Sequence, residues 1–444
     1  MSPSKSTSRH PLTWVPTLYF AEGLPWAVVC VMSAIMYKQL GVSNEDITFW
    51  TGLMGFAWVF KPLWSPFLEL AAGPKRIVVA TQVLGGAMLL LAGVLLHTPG
   101  FFIFTVAILS LLAFTSATHD IAADGTYIAS LPADKQSLYS GWLGAFWNGG
   151  KLFVQGGLVV MAGYLEKHLG ASAAQAWSLA LLLPGALMVA LGLYHAWSMP
   201  SIERQSGAGQ SAGDVARTLM EVLVDFFSKP GIWVAIAFIL LFRVGEGQVQ
   251  SMGRLFLLET RALGGLGLSA EQMGVAYGTF ATLAFIGGSI LGGTFAAKMG
   301  LQRALFWLIL AMNAPNLSFW YLSAYQPTDL SLITAMLSFE MFGYGFGFVG
   351  LTLFMMQVVA PGRFPTAHYA LATGVMALGF QLSTMVSGKI HAALGYHDFF
   401  IWGLLAAIPV LGMSLVVKVR PLSGEAAVAG DAAPSEAHAQ GTAD

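Results

Sequence analysis

The sequence predicts an all-α membrane protein of twelve transmembrane helices in two six-helix halves. Three observations predict it. The 444 residues are 56% hydrophobic and only 10% charged, where a water-soluble globular chain carries about 25% charged residues. Apolar stretches long enough to cross a bilayer, about 20 residues each, recur along almost the whole chain. A polar stretch at 198–229, with Arg204, Arg217 and several Gly and Ser, divides them six and six.

Taken in order, residues 1–11 are polar and carry Lys5, Arg9 and His10. The apolar stretch that follows lacks a small-residue cleavage pattern, so it reads as a retained first helix rather than a removed signal. Spans are expected at 14–37, 46–70, 77–96, 101–128, 137–163, 174–197, 231–257, 270–296, 301–325, 330–357, 366–391 and 397–418. The resulting divisions are a cytoplasmic segment 1–13, a first half 14–197, a cytoplasmic linker 198–229, a second half 230–418 and a cytoplasmic tail 419–444. From about residue 423 the tail has no apolar period and reads as disordered. The 13 Trp and 51 Gly suit interfacial anchoring and close helix approach in lipid.

Positive charge sets the expected orientation. With the N-terminus inside, thirteen basic residues fall in the cytoplasm (Lys5, Arg9, Lys75, Arg76, Lys135, Arg204, Arg217, Lys229, Lys298, Arg303, Arg363, Lys418 and Arg420). Four remain for the outside loops, namely Lys38, Lys167, Arg254 and Arg261. That bias places both termini in the cytoplasm of a multi-pass protein. The formal net charge of −1 offers no polybasic face to nucleic acid. The single cysteine, Cys30, excludes an internal disulfide and a CxxC metal site. No metal and no cofactor is expected.

The turn after span two reads Gly73-Pro-Lys-Arg76, and the turn after span eight reads Gly300-Leu-Gln-Arg303, 227 residues on. Both are G-x-x-R turns at matching places in the two sixes. They resemble the loop motif of the major facilitator superfamily, which is built of two parallel six-helix halves. That resemblance implies a major facilitator fold with a cytoplasmic gate, for which Glu69, Lys75, Arg76 and Arg303 are the candidates. The second half has Ala296 where the first has an acid.

Ionisable groups cost roughly 2.5–3.5 kcal/mol each at a spanning-helix centre, yet the spans hold Glu22, Lys61, Asp120, Asp124, Lys151, Arg243, Glu246, Glu340 and Lys389. Span four is the densest. Ser116, Asp120 and Asp124 repeat every four residues and Tyr127 follows by three, which makes one polar stripe. Two carboxylates on one face repel when both are ionised, so one can load and release a proton near neutral pH. His119 stands beside the stripe and could relay that proton. Asp120, Asp124, His119 and Glu22 are therefore the proton-coupling candidates. Pairing of the two acids with Lys61 or Lys151 is the plainer reading of the same residues. Arg243 and Glu246, i and i+3 on span seven, suit a structural ion pair as well as substrate contact. Lys389 near a span end suits snorkelling.

Backbone breaks accompany these charges. Gly23 and Pro25 follow Glu22, Pro315 lies between Asn313 and Asn316, and Gly343, Gly345, Gly347 and Gly350 follow Glu340. Packing accounts for most such residues in spanning helices. The substrate-binding candidates are Lys61, Lys151, Arg243, Glu246, Glu340 and Asn316.

A narrower resemblance rests on Gly23-Leu-Pro25, Phe60-Lys-Pro-Leu-Trp-Ser-Pro66, Ser116-Ala-Thr-His-Asp120-Ile-Ala-Ala-Asp124 and Thr366-Ala-His-Tyr-Ala-Leu371. In order and spacing these are similar to the AmpG-type muropeptide permeases and the related acetyl-coenzyme A transporters. The resemblance implies proton-driven import of a muropeptide through the inner membrane, with Asp120 and Asp124 as the two acids of the fourth helix and Lys61 as the lysine of the second. The permeases carry an arginine in the fifth helix, where this chain reads Phe146-Trp-Asn-Gly-Gly-Lys151. Lysine lacks the planar fork of arginine.

The expected protein is thus a monomeric proton-coupled secondary transporter whose partners are protons, the lipid bilayer and a small-molecule or peptidic solute. The same machine could carry acyl-coenzyme A, a siderophore or a drug. A membrane-embedded enzyme or receptor is the reading of another class, and nothing in the motifs favours it. No H-E-x-x-H and no phosphate-binding G-x-x-x-x-G-K-[ST] loop occurs.

Overall fold

A computed structural model describes residues 10–70, 73–131, 143, 145–201 and 212–422. The described residues form helices joined by short turns, with no strand among them. Among the described residues, nine helical stretches are long and apolar enough to span a membrane. The longest, Pro365–Val416, reverses at Gly395 and counts as two spans. Helices over 44–70 and 145–169 complete the twelve. Span one ends at Gln39. Spans three, four and six are Pro74–Leu95, Phe101–Ser130 and Ala173–Ser198. Span seven is Ile232–Leu258, and spans eight to ten are Ala270–Met299, Leu301–Tyr325 and Leu330–Val359. Span five runs on to Leu169, six residues past its expected end. Tyr164, Glu166 and Lys167 there read as a loop by hydropathy, yet Gly170 in a left-handed conformation stops the helix.

Leu91, Ile103, Leu193, Ile290 and Leu415 are all at least half exposed. A surface of this kind suits lipid rather than water. Inside, Trp177, Phe256, Phe319 and Phe400 fill the cores at 0 or 1% exposure.

Both G-x-x-R turns open on a glycine at positive φ, Gly73 at 40° and Gly300 at 74°. Each is the residue from which the next span starts. Only glycine takes such a backbone without strain, which explains why the two turns share it.

Several spans depart from the α geometry, two of them at a proline. Pro25 removes an amide donor in span one, and a π segment, Val28–Met32, follows it. Span nine breaks into a 3-10 turn at Ala314–Asn316 around Pro315. Spans five and eight carry π segments at Phe153–Leu158 and Gly274–Ala281. These two segments meet across the halves. A Cβ on Gly278 would lie 2.4 Å from the Gln155 carbonyl oxygen, so the backbones touch there.

A helix at Ala212–Ser228 joins the halves. It is fastened to the second half by Arg363–Glu221 at 3.3 Å and His368–Asp225 at 3.4 Å. The Lys229 ammonium donates to the carbonyls of Val359 at 2.6 Å and Pro361 at 2.7 Å. Burial pulls that lysine below the ordinary range. The end bearing this helix is the near end, and the opposite one the far end.

Candidate functional site

Among the described residues, two polar sites lie inside the bundle. The first belongs to the first half alone. Span four presents Ser116, His119 and Asp120 as buried groups, with Asp124 exposed one turn nearer the near end. The Lys61 ammonium of span two stands 3.4 Å from Asp120 Oδ2, and the Trp58 indole donates to the same oxygen at 3.3 Å. The Tyr19 hydroxyl of span one donates to Asp124 at 2.9 Å. Glu22, also on span one, lies within electrostatic reach of Asp120, Asp124 and Lys61. Its Oε2 is buried with no hydrogen-bond partner. Three carboxylates therefore share one ammonium.

Behind this cluster runs a buried chain of hydrogen bonds. His119 Nδ1 is 4.0 Å from Asp120 Oδ1, and its Nε2 is 2.9 Å from the Gln82 amide nitrogen. The Gln82 oxygen is 2.8 Å from His195 Nδ1, and His195 Nε2 is 2.9 Å from the Thr17 hydroxyl. The amide nitrogen can only donate, so His119 accepts at Nε2 and turns an Nδ1–H toward Asp120.

The second site is a cavity of about 390 Å³ lined by both halves. The first half contributes Trp26, Trp147, Lys151 and Gln155, and the second contributes Arg243, Glu246, Gln250, Arg254, Tyr277 and Phe285. Arg243 and Glu246 pair at 2.7 Å, as their i,i+3 spacing suggests. The Lys151 ammonium lies over Trp26 at 5.3 Å, Trp147 at 5.2 Å and Phe285 at 5.7 Å. These are cation–π distances.

The site candidates thus separate. Asp120, Asp124, Glu22, His119 and Lys61 come together, with Lys61 taken up by Asp120. Lys151, Arg243 and Glu246 line the cavity. Glu340 lies behind its wall, where Gln250 donates to it at 2.8 Å and the Tyr277 hydroxyl donates to Gln250 at 2.6 Å. Asn316 is buried in the break of span nine. Of the gate candidates, Lys75 donates to the Met199 carbonyl at 2.7 Å, while Arg76 and Arg303 are exposed. The side chain of Glu69 lies outside the described residues.

Arg254 is a correction. The charge count assigns it to an outside loop although the expected span 231–257 already holds it; the helix Ile232–Leu258 places Arg254 in the cavity wall. The signal is in the spacing. Arg243, Glu246, Gln250 and Arg254 fall at 0, 3, 7 and 11, one face of a helix. Gln82 and His195 are also missed by the charge argument, because both are neutral; each is a polar residue inside an apolar span.

All ion pairs that join the two halves among the described residues lie at the far end. Lys38 pairs with Glu259, and Glu271 receives Lys167 at 3.3 Å and His168 at 3.4 Å. Asn44 donates to the Tyr396 hydroxyl at 3.0 Å beside them.

The Major Facilitator Superfamily model matches residues 17–388. The chain is 28% identical over 415 residues to the anhydromuropeptide permease of Escherichia coli K12, covering 90% of this chain and 78% of that one. It is 27% identical over 422 residues to an uncharacterised protein of Haemophilus influenzae, covering 91% and 93%. Among solved structures it superposes on a bacterial homologue of the human lysosomal transporter Spinster with a TM-score of 0.70, at 14% identity and 93% and 97% coverage. The nucleoside transporter NupG gives 0.67 at 13% identity, covering 90% and 98%. These likenesses are to transporters rather than enzymes. The chain belongs to the Major Facilitator Superfamily and is a multi-pass secondary transporter of the membrane.

Proposed function

We propose that the protein is a proton-coupled importer of the inner membrane that carries a muropeptide-like solute. The carrying observation is the separation of the two sites. One holds three carboxylates around a single ammonium, and the other is a cavity lined by both halves. Three carboxylates facing one cation, two of them buried, cannot all stay ionised without penalty, so such a group takes up protons collectively. A cavity walled by both halves is where an alternating-access carrier binds its cargo, near the midplane. The likeness to the Escherichia coli permease supports a muropeptide cargo, and the same reading makes Lys151, Arg243 and Glu246 its contacts.

In this reading the near end is cytoplasmic, both termini lie there, and the halves 14–197 and 230–418 rock about the cavity as a monomer. The far-end ion pairs then close the periplasmic side. Acetyl-coenzyme A is the second cargo to weigh, because the cavity carries more positive than negative side chains.

The test is uptake into proteoliposomes under an imposed pH gradient, with anhydro-muropeptides, acetyl-coenzyme A and siderophores side by side. Gradient-dependent accumulation of the muropeptide is expected. Accumulation that ignores the gradient would remove the coupling, and accumulation of another solute alone would remove the cargo. Cells without the gene should shed anhydro-muropeptides into the medium, read by mass spectrometry.

A further inference from the structure

We infer that Arg254, together with Lys151, forms an oxyanion pocket that receives a carboxylate or phosphate group of the transported solute. The inference rests on the cavity being the solute site.

Arg254 is 8% exposed, and its Nε is buried without a hydrogen-bond partner. Among the described residues it makes no hydrogen bond and no ion pair. Lys151 lies within its electrostatic reach. That ammonium rests on three aromatic rings and has no carboxylate within 4 Å among the described residues. Ring faces attract a cation but leave its charge in place. The remaining charges of the wall, Arg243 and Glu246, compensate each other at 2.7 Å. The wall therefore carries three cations against one carboxylate. With Glu340 ionised behind Gln250 a positive excess still remains.

Two like charges held close in an apolar interior are unfavourable unless something supplies the counter-charge. The one carboxylate of the wall, Glu246, stands within electrostatic reach of Arg254 but is already paired with Arg243 at 2.7 Å, and Arg254 and Lys151 both line the cavity. A planar guanidinium takes both oxygens of a carboxylate or phosphate, whereas the ammonium adds a point charge from the facing half. Trp26, Trp147 and Phe285 offer flat apolar faces to whatever ring adjoins the anion.

The experiment is calorimetric binding to purified protein, using anhydro-N-acetylmuramyl-tripeptide and its carboxamide, in wild type, Arg254→Gln and Arg254→Lys. Wild type should prefer the free acid by about ten-fold or more, the size of one charge-assisted contact. Arg254→Gln should bind both forms alike, and Arg254→Lys should fall between. Without ligand, Arg254→Gln should melt no lower than wild type, since it removes a buried cation that has no ion pair and faces a second cation. An undiminished preference in Arg254→Gln, or no preference in wild type, overturns the pocket. If neither form binds wild type, the muropeptide reading falls and acetyl-coenzyme A decides the pocket. Binding of that phosphate-bearing ligand weakened about ten-fold by Arg254→Gln upholds it, and binding that is absent or insensitive to Arg254 overturns it.

Discussion

Lys61 reaches Asp120 across spans two and four, 3.4 Å between Nζ and Oδ2, and so leaves Asp124 to the neutral hydroxyl of Tyr19 at 2.9 Å. The two acids of one stripe are therefore unequal. Protonating Asp120 breaks an ion pair, whereas protonating Asp124 only rearranges a hydrogen bond. In the coupling proposed above, Asp124 is the group that takes and gives the proton, and Asp120 stays with Lys61.

Asp124→Asn should reduce gradient-driven uptake to background while the variant still reaches the membrane and still exchanges solute in the absence of a gradient. Asp120→Asn should lose uptake as well. Lys61→Met should also lower thermal stability, by about 1–3 kcal/mol, because Lys61 is 29% exposed at its side chain and the pair is not fully desolvated. Uptake at wild-type rates in both aspartate variants would refute the coupling role.

His119 and His195 face the two ends of one glutamine amide, one donor end and one acceptor end. Both ring nitrogens cannot donate to it together, so the two imidazoles cannot both be cations while Gln82 bridges them. Gln82→Leu leaves each ring short of a partner in a buried site, at about 1–3 kcal/mol per ring. Its thermal unfolding should fall accordingly, and adding His195→Phe should recover part of the loss. Unfolding at the wild-type temperature would mean that the bridge contributes nothing.

The spans were legible because hydropathy reports the solvent, and lipid faces nearly every turn. The acids of span four were legible because charge in an apolar run is conspicuous. Gln82, His195 and Thr17 were not, since neutral polar residues are affordable in a bundle and carry no net-charge signal. Arg254 was obscured by its place near a span end, where a basic residue ordinarily snorkels to the surface. Which wall Glu340 faces depended on rotation of span ten, and the sequence holds no marker of that beyond its glycines.

At the far end, Lys38→Met or Glu259→Gln should weaken the closure between spans one and seven. Spin labels at Val42→Cys and Ala262→Cys, in a Cys30→Ser background, should report a broader and longer distance distribution by pulsed electron resonance. The direction follows from losing an ion pair that joins the halves. An unchanged distribution would show that backbone contacts such as that of Gly278 hold the end shut by themselves.

Gly23 lets span one lie on span five, since an added Cβ would come within 2.3 Å of the Trp147 carbonyl oxygen. Gly23→Ala must push the two helices apart, at about 1–3 kcal/mol for overpacking. Trp26 and Trp147 sit in contact next to it, ring centroids 5.3 Å apart. Reduced thermal stability together with weakened solute binding is expected. A variant that melts and binds as wild type would mean that the spans yield without strain.

The aromatic box around Lys151 is assembled from two rings of one half and a single ring, Phe285, of the other. In the rocking motion proposed above, rotation of the halves would carry Phe285 away while Trp26 and Trp147 stay. The ammonium then loses one wall of its enclosure and gains hydration on that side. Its pull on an anion is screened by water in one orientation and concentrated in the other. Grip and release of a cargo can thus follow from the wetting of one lysine, with no hinge inside the binding site.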